Sequence, residues 1–376
     1  MDFVRVGIVG VGHIGTAHAN AILNNEVPGM QLTALCEMSE DRAKCLESEF
    51  PTVEIFTAYE KMIKSGKIDA IIIATPHYMH PTIATYALKH GIHVLSEKPI
   101  GVYTLALEET FSAWEKSGKK YAVMLNQRTD KLFSLAKKMI DEGRIGALVK
   151  NTCVVTNWYR TQEYYDSANW RGTWLGEGGG VLMNQAPHNI DIWQWLCGMP
   201  KTINAVCHEG KYHKIEVEDE AIINAEYENG ATGTFITSTG IENGENYFVI
   251  EGTTGKITLE KGRLLYEDLS GETPYFEEYF DEEYLGHINI MKNFANAILY
   301  DEELIAPASN AINQLIIANA SYLSSWKGEK ITLPFDNQEY FDLLDQRLKS
   351  SKIYPRKKRK DTPFAKEYEK KWTTVW

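Results

Sequence analysis

The chain has 376 residues, of which 44% are hydrophobic and 24% are charged, so it has the composition of a globular protein with room for two domains. The formal net charge of -12 repels polyanions, which excludes nucleic acid and anionic membranes as expected partners. No apolar run approaches the length that a membrane-spanning helix needs.

The cysteines are scattered and form no C-x-x-C pair. This spacing argues against a disulfide framework and against a structural zinc site, and it suits a reducing compartment. A strand-like run follows Met1 directly, so we expect no signal peptide and a cytoplasmic protein. The basic run at 356–360 is local, and a solvated tail is favoured there over a nucleic-acid patch.

The first predicted strand, 3–9, leads into a glycine-rich turn and then a helix that reaches residue 23. The turn has the pattern G-x-G-x-x-G, which in this strand-turn-helix setting is typical of a dinucleotide-binding site. The alternative is a glycine-rich turn without a ligand. The predicted cofactor-binding residues here are Gly10, Gly12, His13, Ile14 and Gly15.

An acidic residue ends the second predicted strand, 31–36. Glu37 lies about 20 residues after the last glycine, where a carboxylate accepts from both ribose hydroxyls of NAD and repels the 2′-phosphate of NADP. We therefore expect NAD. Arg42 keeps NADP possible, although it fits better at the beginning of the next helix.

Strands predicted at 53–56, 69–75, 92–96 and 121–125 alternate with helices at 59–65, 81–90 and 105–117. This alternation predicts a doubly wound parallel sheet, whose strand ends meet at one edge. Polar residues at those ends are predicted to lie beside the nicotinamide: Thr75, Pro76, His77, Glu97, Lys98 and Gln127. His77 and His80 are too few ligands for zinc, so no metal is expected.

The stretch Glu97-Lys98-Pro99 follows the strand at 92–96. A lysine at a strand end, followed by proline, is a placed ammonium group at the ligand-binding edge of the sheet. Without its sequence context, Lys98 would be predicted to be a surface lysine at the start of a loop. The dinucleotide motif and the neighbouring strand ends favour the placed ammonium group over a surface lysine.

The second half changes pattern after a helix at 131–142. Alternating, β-branched stretches at 148–157, 202–208, 219–228, 231–239, 246–251 and 255–260 predict a large, open, mostly antiparallel sheet with one covered face. Helices are predicted at 284–299 and 309–326. We therefore divide the chain into a Rossmann domain (1–126), an α+β substrate-binding and oligomerisation domain (127–335) and an extension (336–376).

An aromatic and polar stretch lies in this half and includes Arg160, Tyr164, Trp170 and Arg171. Rings interleaved with hydrogen-bonding side chains suit a sugar, and they equally suit a protein interface. Beyond a glycine run, Pro187 begins a predicted helix in which His188 and Asp191 share one face. An imidazole beside a carboxylate is a typical general base, whereas a single helical histidine is more often structural. The glycine run, the lysine at a strand end and the dinucleotide motif in the same chain favour the general base here.

The strand end Ala74-Thr75-Pro76, the Glu97-Lys98-Pro99 segment and Gly178-Gly179-Gly180 with His188 and Asp191 together resemble the Gfo/Idh/MocA oxidoreductase family, whose pattern is G-G-G-x-x-x-D-x-G-x-H-x-x-D. The resemblance covers the chain to about residue 335. It implies an NAD(P)-dependent oxidoreductase that interconverts a secondary alcohol and a ketone on a sugar, glycoside or cyclitol, with Lys98 and His188 as the catalytic pair. It also suggests a homodimer or homotetramer.

The chain departs from that pattern at two positions. Asn184 replaces the aspartate and Ala186 replaces the intervening glycine. Asn184 can bind a substrate hydroxyl but cannot take a proton, so a proton relay at that position is in doubt. Two alternatives remain open, namely a catalytically silent NAD-sensing regulator and a reductase of a non-sugar substrate of the dihydrodiol or biliverdin type.

Overall fold

The structure is a computed structural model that describes residues 2–269, 276–279 and 285–352. It contains two compact units. The first comprises Met1–Thr129 with Tyr284–Leu315, and the second comprises Asp130–Glu283 with Ile316–Trp376. The basic run at 356–360 and the tryptophans at 372 and 376 lie outside the described residues. The predicted division of the chain at 126 and 335 stays a prediction.

The first unit contains a six-stranded parallel sheet in the order β3-β2-β1-β4-β5-β6. Its strands are β1 (Val4–Val9), β2 (Met30–Cys36), β3 (Glu54–Phe56), β4 (Ala70–Ile73), β5 (His93–Ser96) and β6 (Tyr121–Val123). Its helices are α1 (His13–Leu23), α2 (Glu40–Glu49), α3 (Tyr59–Lys64), α4 (Met79–Lys89), α5 (Glu108–Ser117) and α10 (Gly286–Tyr300).

The central strands of this sheet are mostly apolar and buried. Every residue of β4 is fully buried, and so are Val94 and Leu95 in β5. Continuous apolar runs of this kind are characteristic of parallel sheets. The strand order reverses between β1 and β4, and such a switch point is where open α/β sheets bind ligands. The predicted Rossmann fold is confirmed.

The second unit contains a nine-stranded sheet in the order β14-β13-β12-β11-β7-β10-β9-β8-β15. Among the described strands of this sheet, the β7–β10 pair alone is parallel. The strands are β7 (Leu148–Val155), β8 (Thr202–Glu209), β9 (Glu218–Glu226), β10 (Thr232–Ser238), β11 (Asn246–Gly252), β12 (Gly255–Glu260), β13 (Arg263–Asp268), β14 (Phe276–Tyr279) and β15 (Ile331–Thr332). Buried and partly exposed residues alternate along β11 and β12, so one face is covered, as predicted.

The remaining helices are α6 (Lys131–Asp141), α7 (Gln162–Asp166), α8 (Trp174–Glu177), α9 (Pro187–Cys197), α11 (Ala308–Lys327) and α12 (Asn337–Ser350). Two indole hydrogen bonds hold α9 in place: Trp193 donates to Asn151 of β7, and Trp158, just after β7, donates to Asn189 of α9. None of the helices in the described part of the chain is long and apolar enough to cross a membrane.

Candidate active site

The turn between β1 and α1 requires glycine at two of its three motif positions. Gly10 has a φ of +89°, and a Cβ there would lie 2.6 Å from the Ala74 carbonyl oxygen. A Cβ on Gly15 would lie 2.0 Å from the Gly10 carbonyl oxygen. A Cβ added at Gly12 would meet no atom within 4 Å outside its neighbours in the chain. Two glycines therefore permit close packing within the protein, while Gly12 borders open space.

The N-terminus of α1 is chemically suited to an anion. Gly12 precedes the helix, no side chain caps it, and its first turn carries no acidic residue. The backbone N–H groups and the helix dipole consequently remain available for phosphate oxygens. His13 is exposed here and Ile14 is half-buried. A groove of about 460 Å³ borders the turn and is lined by Val11, Gly12, His13, Thr16, Ala17, Asn20 and Arg42.

Glu37 is linked to this turn by a hydrogen bond. Its Oε2 accepts from the Val11 backbone N–H at 3.2 Å, and its Oε1 accepts from the Ser39 N–H at 3.1 Å. Arg42 lies in α2, and its guanidinium donates to both oxygens of Glu49, at 2.6 and 3.0 Å. The arginine that left NADP possible is therefore already paired with a carboxylate.

The end of β4 presents an unsatisfied polar atom. Thr75 Oγ1 is buried and has no hydrogen-bond partner among the described residues. Such an atom is costly unless a ligand or water satisfies it, so its position just beyond the switch point fits a bound cofactor. Pro76 is exposed, whereas His77 and Gln127 are buried.

His80 joins the segments that follow β4 and β5. Its Nε2 lies 2.7 Å from the Thr75 carbonyl oxygen, and its Nδ1 lies 2.8 Å from the Pro99 carbonyl oxygen. Both ring nitrogens are thus occupied by backbone carbonyls, and burial lowers the pKa of the imidazole. In the described residues no group of three or more His, Cys, Asp or Glu side chains can hold a metal ion.

Lys98 is half-buried, and the peptide bond to Pro99 is cis. The preceding residue, Glu97, is 7% exposed, and its Oε1 lies 2.8 Å from Nε2 of His18 in α1. Burial raises the pKa of Glu97, but His18, His287 and Lys98 outweigh it and lower the pKa to about 2. A buried carboxylate therefore stays charged next to the predicted catalytic lysine.

His287 of α10 completes this buried group. Its ring centroid lies 5.6 Å from that of His18, and the Asn126 side-chain amide nitrogen lies 3.1 Å from its Nδ1. Burial lowers the pKa of His287, with Glu97 opposing that shift. The strand end that carries Lys98 thus rests on side chains from α1 and α10.

In the second unit the predicted substrate residues form one cluster around the Tyr164 ring. The hydroxyl of Tyr164 accepts from Arg171 Nη1 and from Asn184 Nδ2, the latter at 3.2 Å. The Arg171 guanidinium lies 4.1 Å from the Tyr164 ring centroid and 4.5 Å from that of Trp170. Arg160 lies 5.3 Å from the Tyr164 ring centroid, and its Nη1 donates to the Tyr159 carbonyl oxygen at 2.9 Å.

A buried carboxylate, that of Glu177, forms a hydrogen bond with this cluster through Asn184. It is 1% exposed, its Oε1 accepts from Asn184 Nδ2, and its Oε2 accepts from the Gly172 N–H at 2.5 Å. Gln185 also donates to the Tyr164 hydroxyl, at 3.1 Å. Asn184 is therefore held by a carboxylate and a phenol.

The glycine run is anchored by a second buried carboxylate, Glu218. It accepts from the N–H groups of Gly180 and Leu182, both at 2.8 Å, and from the Tyr322 hydroxyl at 2.7 Å. Burial raises the pKa of Glu218 to about 7, although these three donors oppose the shift. Glu218 thereby fixes the backbone that leads to Asn184.

α9 begins at Pro187, as predicted, with His188 half-buried in its first turn. Asp191 is 1% exposed, and its Oδ1 accepts from Gln194 at 3.0 Å. The role of Asp191 in orienting His188, and the pairing of His188 with Lys98, stay predictions.

Sequence reasoning did not identify five residues as part of the site: His18, His80, Glu177, Gln185 and Glu218. Glu177 directly precedes the glycine run, so its position in the sequence could have identified it as a candidate site residue. The others lie inside helices, turns or strands, and nothing in their spacing distinguishes them from core residues. Some of their partners come from distant parts of the chain, as with Glu218 and Tyr322.

Two family models match the chain. Residues 4–125 match an oxidoreductase family with an NAD-binding Rossmann fold, and residues 133–258 match the GFO/IDH/MocA C-terminal domain. The levoglucosan dehydrogenase of Pseudarthrobacter phenanthrenivorans is 25% identical over 294 residues, which are 70% of this chain and 75% of that protein. An inositol 2-dehydrogenase of Corynebacterium glutamicum is 23% identical over 342 residues, which are 88% of this chain and 91% of that protein.

Among solved structures, the WlbA dehydrogenase from Bordetella pertussis, in complex with NADH and UDP-GlcNAcA, aligns with a TM-score of 0.77. It is 28% identical, and the alignment covers 89% of this chain and 100% of that one. The family resemblance, the Rossmann fold and the expected NAD cofactor are thereby confirmed. This chain belongs to the Gfo/Idh/MocA family and is an NAD-dependent oxidoreductase.

Proposed function

We propose that this enzyme interconverts a secondary alcohol and a ketone on a sugar, glycoside or cyclitol by hydride transfer. The observation that supports this best is the cluster in which the Tyr164 hydroxyl, the Arg171 guanidinium and the Asn184 amide lie beside aromatic rings. A polyhydroxylated ring needs such a mixture, because its hydroxyls require hydrogen-bonding partners and its C–H faces pack on apolar surface. The relatives named levoglucosan dehydrogenase and inositol 2-dehydrogenase are named for substrates of this class.

In this proposal the turn after β1 and the half-buried Glu37 hold the adenosine diphosphate half of NAD. The turn contributes Gly10, Gly12, His13, Ile14 and Gly15. The nicotinamide half lies against Thr75, Pro76, His77, Glu97, Lys98 and Gln127. We expect NAD to be preferred to NADP, because Glu37 repels a 2′-phosphate and Arg42 is already paired with Glu49.

When bound, NAD+ supplies the nicotinamide ring that accepts the hydride. His188 takes the proton of the reacting hydroxyl as a general base, and Asp191, one turn further along α9, orients the imidazole. Lys98 donates a hydrogen bond to the reacting oxygen and stabilises the negative charge that develops there. The remaining hydroxyls and ring faces of the substrate contact Asn184, Arg160, Tyr164, Trp170 and Arg171.

The proposal is tested by mixing the purified protein with NAD+ or NADP+ and a panel of inositols, levoglucosan, other glycosides and free sugars. We expect the absorbance of the reduced cofactor to rise with at least one polyol, and faster with NAD+ than with NADP+. Lys98→Ala and His188→Ala should each lower turnover of that polyol about a hundredfold or more, while NAD binding is retained.

A matched control is Lys89→Ala, because Lys89 is an exposed lysine whose ion-pair partner Glu109 is also exposed. Its turnover should equal that of the wild type. Near-normal turnover in either active-site variant contradicts the assignment of the catalytic pair. NAD binding without turnover of any panel member contradicts the proposed function and favours the regulator, and turnover of a dihydrodiol or biliverdin alone favours the non-sugar reductase.

A further inference from the structure

We infer that Glu177 is a positioning residue that fixes the side-chain amide of Asn184, so that the amide oxygen Oδ1 is the group offered to a substrate hydroxyl. The inference rests on the proposed function, because it assigns a hydroxyl donor to the substrate. It also explains why asparagine is suited to a position where the family pattern has aspartate.

The Glu177 carboxylate is anchored at both oxygens. Glu177 is the last residue of α8 and is 1% exposed. Oε2 accepts from the Gly172 backbone N–H at 2.5 Å, and Oε1 accepts from Asn184 Nδ2. Because the first bond is to the backbone, the carboxylate cannot follow Asn184 if that side chain turns away.

The contact determines which way the amide of Asn184 faces. An ionised carboxylate only accepts hydrogen bonds, so the nitrogen of the amide must face Glu177. The same nitrogen donates to the Tyr164 hydroxyl at 3.2 Å. Both amide hydrogens are thus used within the protein, and Asn184 acts toward a ligand as an acceptor through Oδ1.

The Tyr164 hydroxyl is compatible with this orientation. It accepts from Arg171 Nη1 and Gln185 Nε2, and from Asn184 Nδ2 in the same way. Because a phenol can also donate, the Glu177 contact rather than the Tyr164 contact selects the orientation. A flipped amide would bring Oδ1 against the Glu177 carboxylate, where two acceptors would face each other.

The charges of the cluster explain the choice of residue at 184. Glu177 supplies one negative charge, and the guanidiniums of Arg160 and Arg171 lie around the same phenol ring. An aspartate at 184 would contact the Glu177 carboxylate directly, and two carboxylates in contact cannot both ionise near neutral pH. The structure therefore has one carboxylate and one amide, with the carboxylate at 177.

The test compares Glu177→Gln, Asn184→Asp and the double variant, using the polyol of the panel that the wild type oxidises fastest. Glu177→Gln should raise KM about tenfold, because the amide is no longer fixed. Asn184→Asp should lower kcat/KM about tenfold or more, with part of the activity returning at lower pH as one carboxylate is protonated. The double variant, which again has one carboxylate and one amide, should return to within about threefold of the wild type.

Gln185→Glu is the matched control, because it adds the same charge one residue further on, where the side chain contacts the Tyr164 hydroxyl. Adding Glu177→Gln to this variant should give no rescue. A double variant that is no better than Asn184→Asp, or equal rescue of Gln185→Glu, overturns the inference.

A second measurement needs no substrate. In protein labelled with 15N-asparagine, the side-chain amide signal of Asn184 is the one missing in Asn184→Asp. We expect both of its protons to be protected from exchange in the wild type and to lose that protection in Glu177→Gln. An unchanged signal overturns the inference, whereas failure of every polyol in the panel overturns only the proposed function.

Discussion

Glu97 in the first unit and Glu218 in the second are both buried carboxylates that support a candidate ligand-binding segment, yet their surroundings differ. Glu97 faces an imidazole, that of His18, at 2.8 Å. Glu218 faces neutral donors, namely two backbone N–H groups and the Tyr322 hydroxyl. The pKa of Glu97 is lowered to about 2, whereas that of Glu218 is raised to about 7.

The difference shows what a partner must provide to keep a buried carboxylate charged. Burial favours the neutral acid at both positions, so hydrogen bonds alone do not decide the outcome. A partner that can carry positive charge outweighs desolvation at Glu97, and three neutral donors do not at Glu218. Glu97 thus contributes a permanent negative charge beside Lys98, while Glu218 mainly organises backbone.

The largest effect is expected from removing the charge at Glu97. Glu97→Gln replaces the buried carboxylate that lies 2.8 Å from His18 Nε2, and losing a charged hydrogen-bond partner in a buried site costs about 3 kcal/mol of unfolding free energy. Urea unfolding measures that loss. The control is Glu109→Gln, which breaks an exposed ion pair with Lys89 and should change stability little. Equal losses of unfolding free energy in the two variants would contradict a stabilising role of the contact between His18 and Glu97.

The pH dependence of stability should have opposite signs at the two carboxylates. The ordinary pKa of 4.5 falls to about 2 at Glu97, so its contribution is present above pH 4.5 and is lost as the pH falls toward 2. At Glu218 the pKa rises to about 7, so its contribution is full below pH 4.5 and is lost as the pH rises to about 7. Each shift corresponds to about 3 kcal/mol.

Hydrogen exchange of backbone amides separates the two contributions. The strands β4 and β5 report on Glu97, and the amides of Gly180 and Leu182 report on Glu218. After correction for intrinsic exchange, protection should fall with acid in the first group and with rising pH in the second. Protection that changes in the same direction in both groups would contradict the comparison.

The smallest effect is expected from Tyr322→Phe, which removes one of the three donors to Glu218. The loss of a single hydrogen bond at a site that keeps two others should cost about 1 kcal/mol. The pKa of Glu218 should rise further, because the Tyr322 hydroxyl lowers it. Tyr340→Phe is the control, since Tyr340 is a fully buried tyrosine whose ring stacks on Trp326. A titration of Glu218 that is unchanged in Tyr322→Phe would contradict this role.

Local pattern was sufficient to predict the parallel sheet, because its strands are short, largely apolar runs that alternate with helical stretches. It also predicted α9, whose first residue is Pro187. It did not reveal β13, where Arg263, Glu267 and Asp268 dilute the apolar signal, nor α12, which lies in the segment left as an extension. The predicted helix at 105–117 begins as a 3-10 helix at Thr104–Leu107.

The candidate site was predictable where a motif carries the chemistry and not where a partner is distant in sequence. Gly10 and Lys98 follow from local pattern. The bond between His18 and Glu97 joins residues 79 positions apart, and that between Glu218 and Tyr322 joins residues 104 apart. Asn184 was recognised as a departure from the family pattern, but the carboxylate that fixes it was identified only from coordinates.

The discontinuity of the first unit affects how the protein is synthesised. Its sheet is complete once residue 123 has left the ribosome, but the Asn126 amide then still lacks His287, and the Val123 N–H lacks the Ala306 carbonyl oxygen that it bonds at 3.0 Å. These two hydrogen bonds of the first unit can therefore form only after more than 150 further residues have been translated. During that interval the Asn126 amide and the Val123 N–H lack the partners that they have in the finished fold.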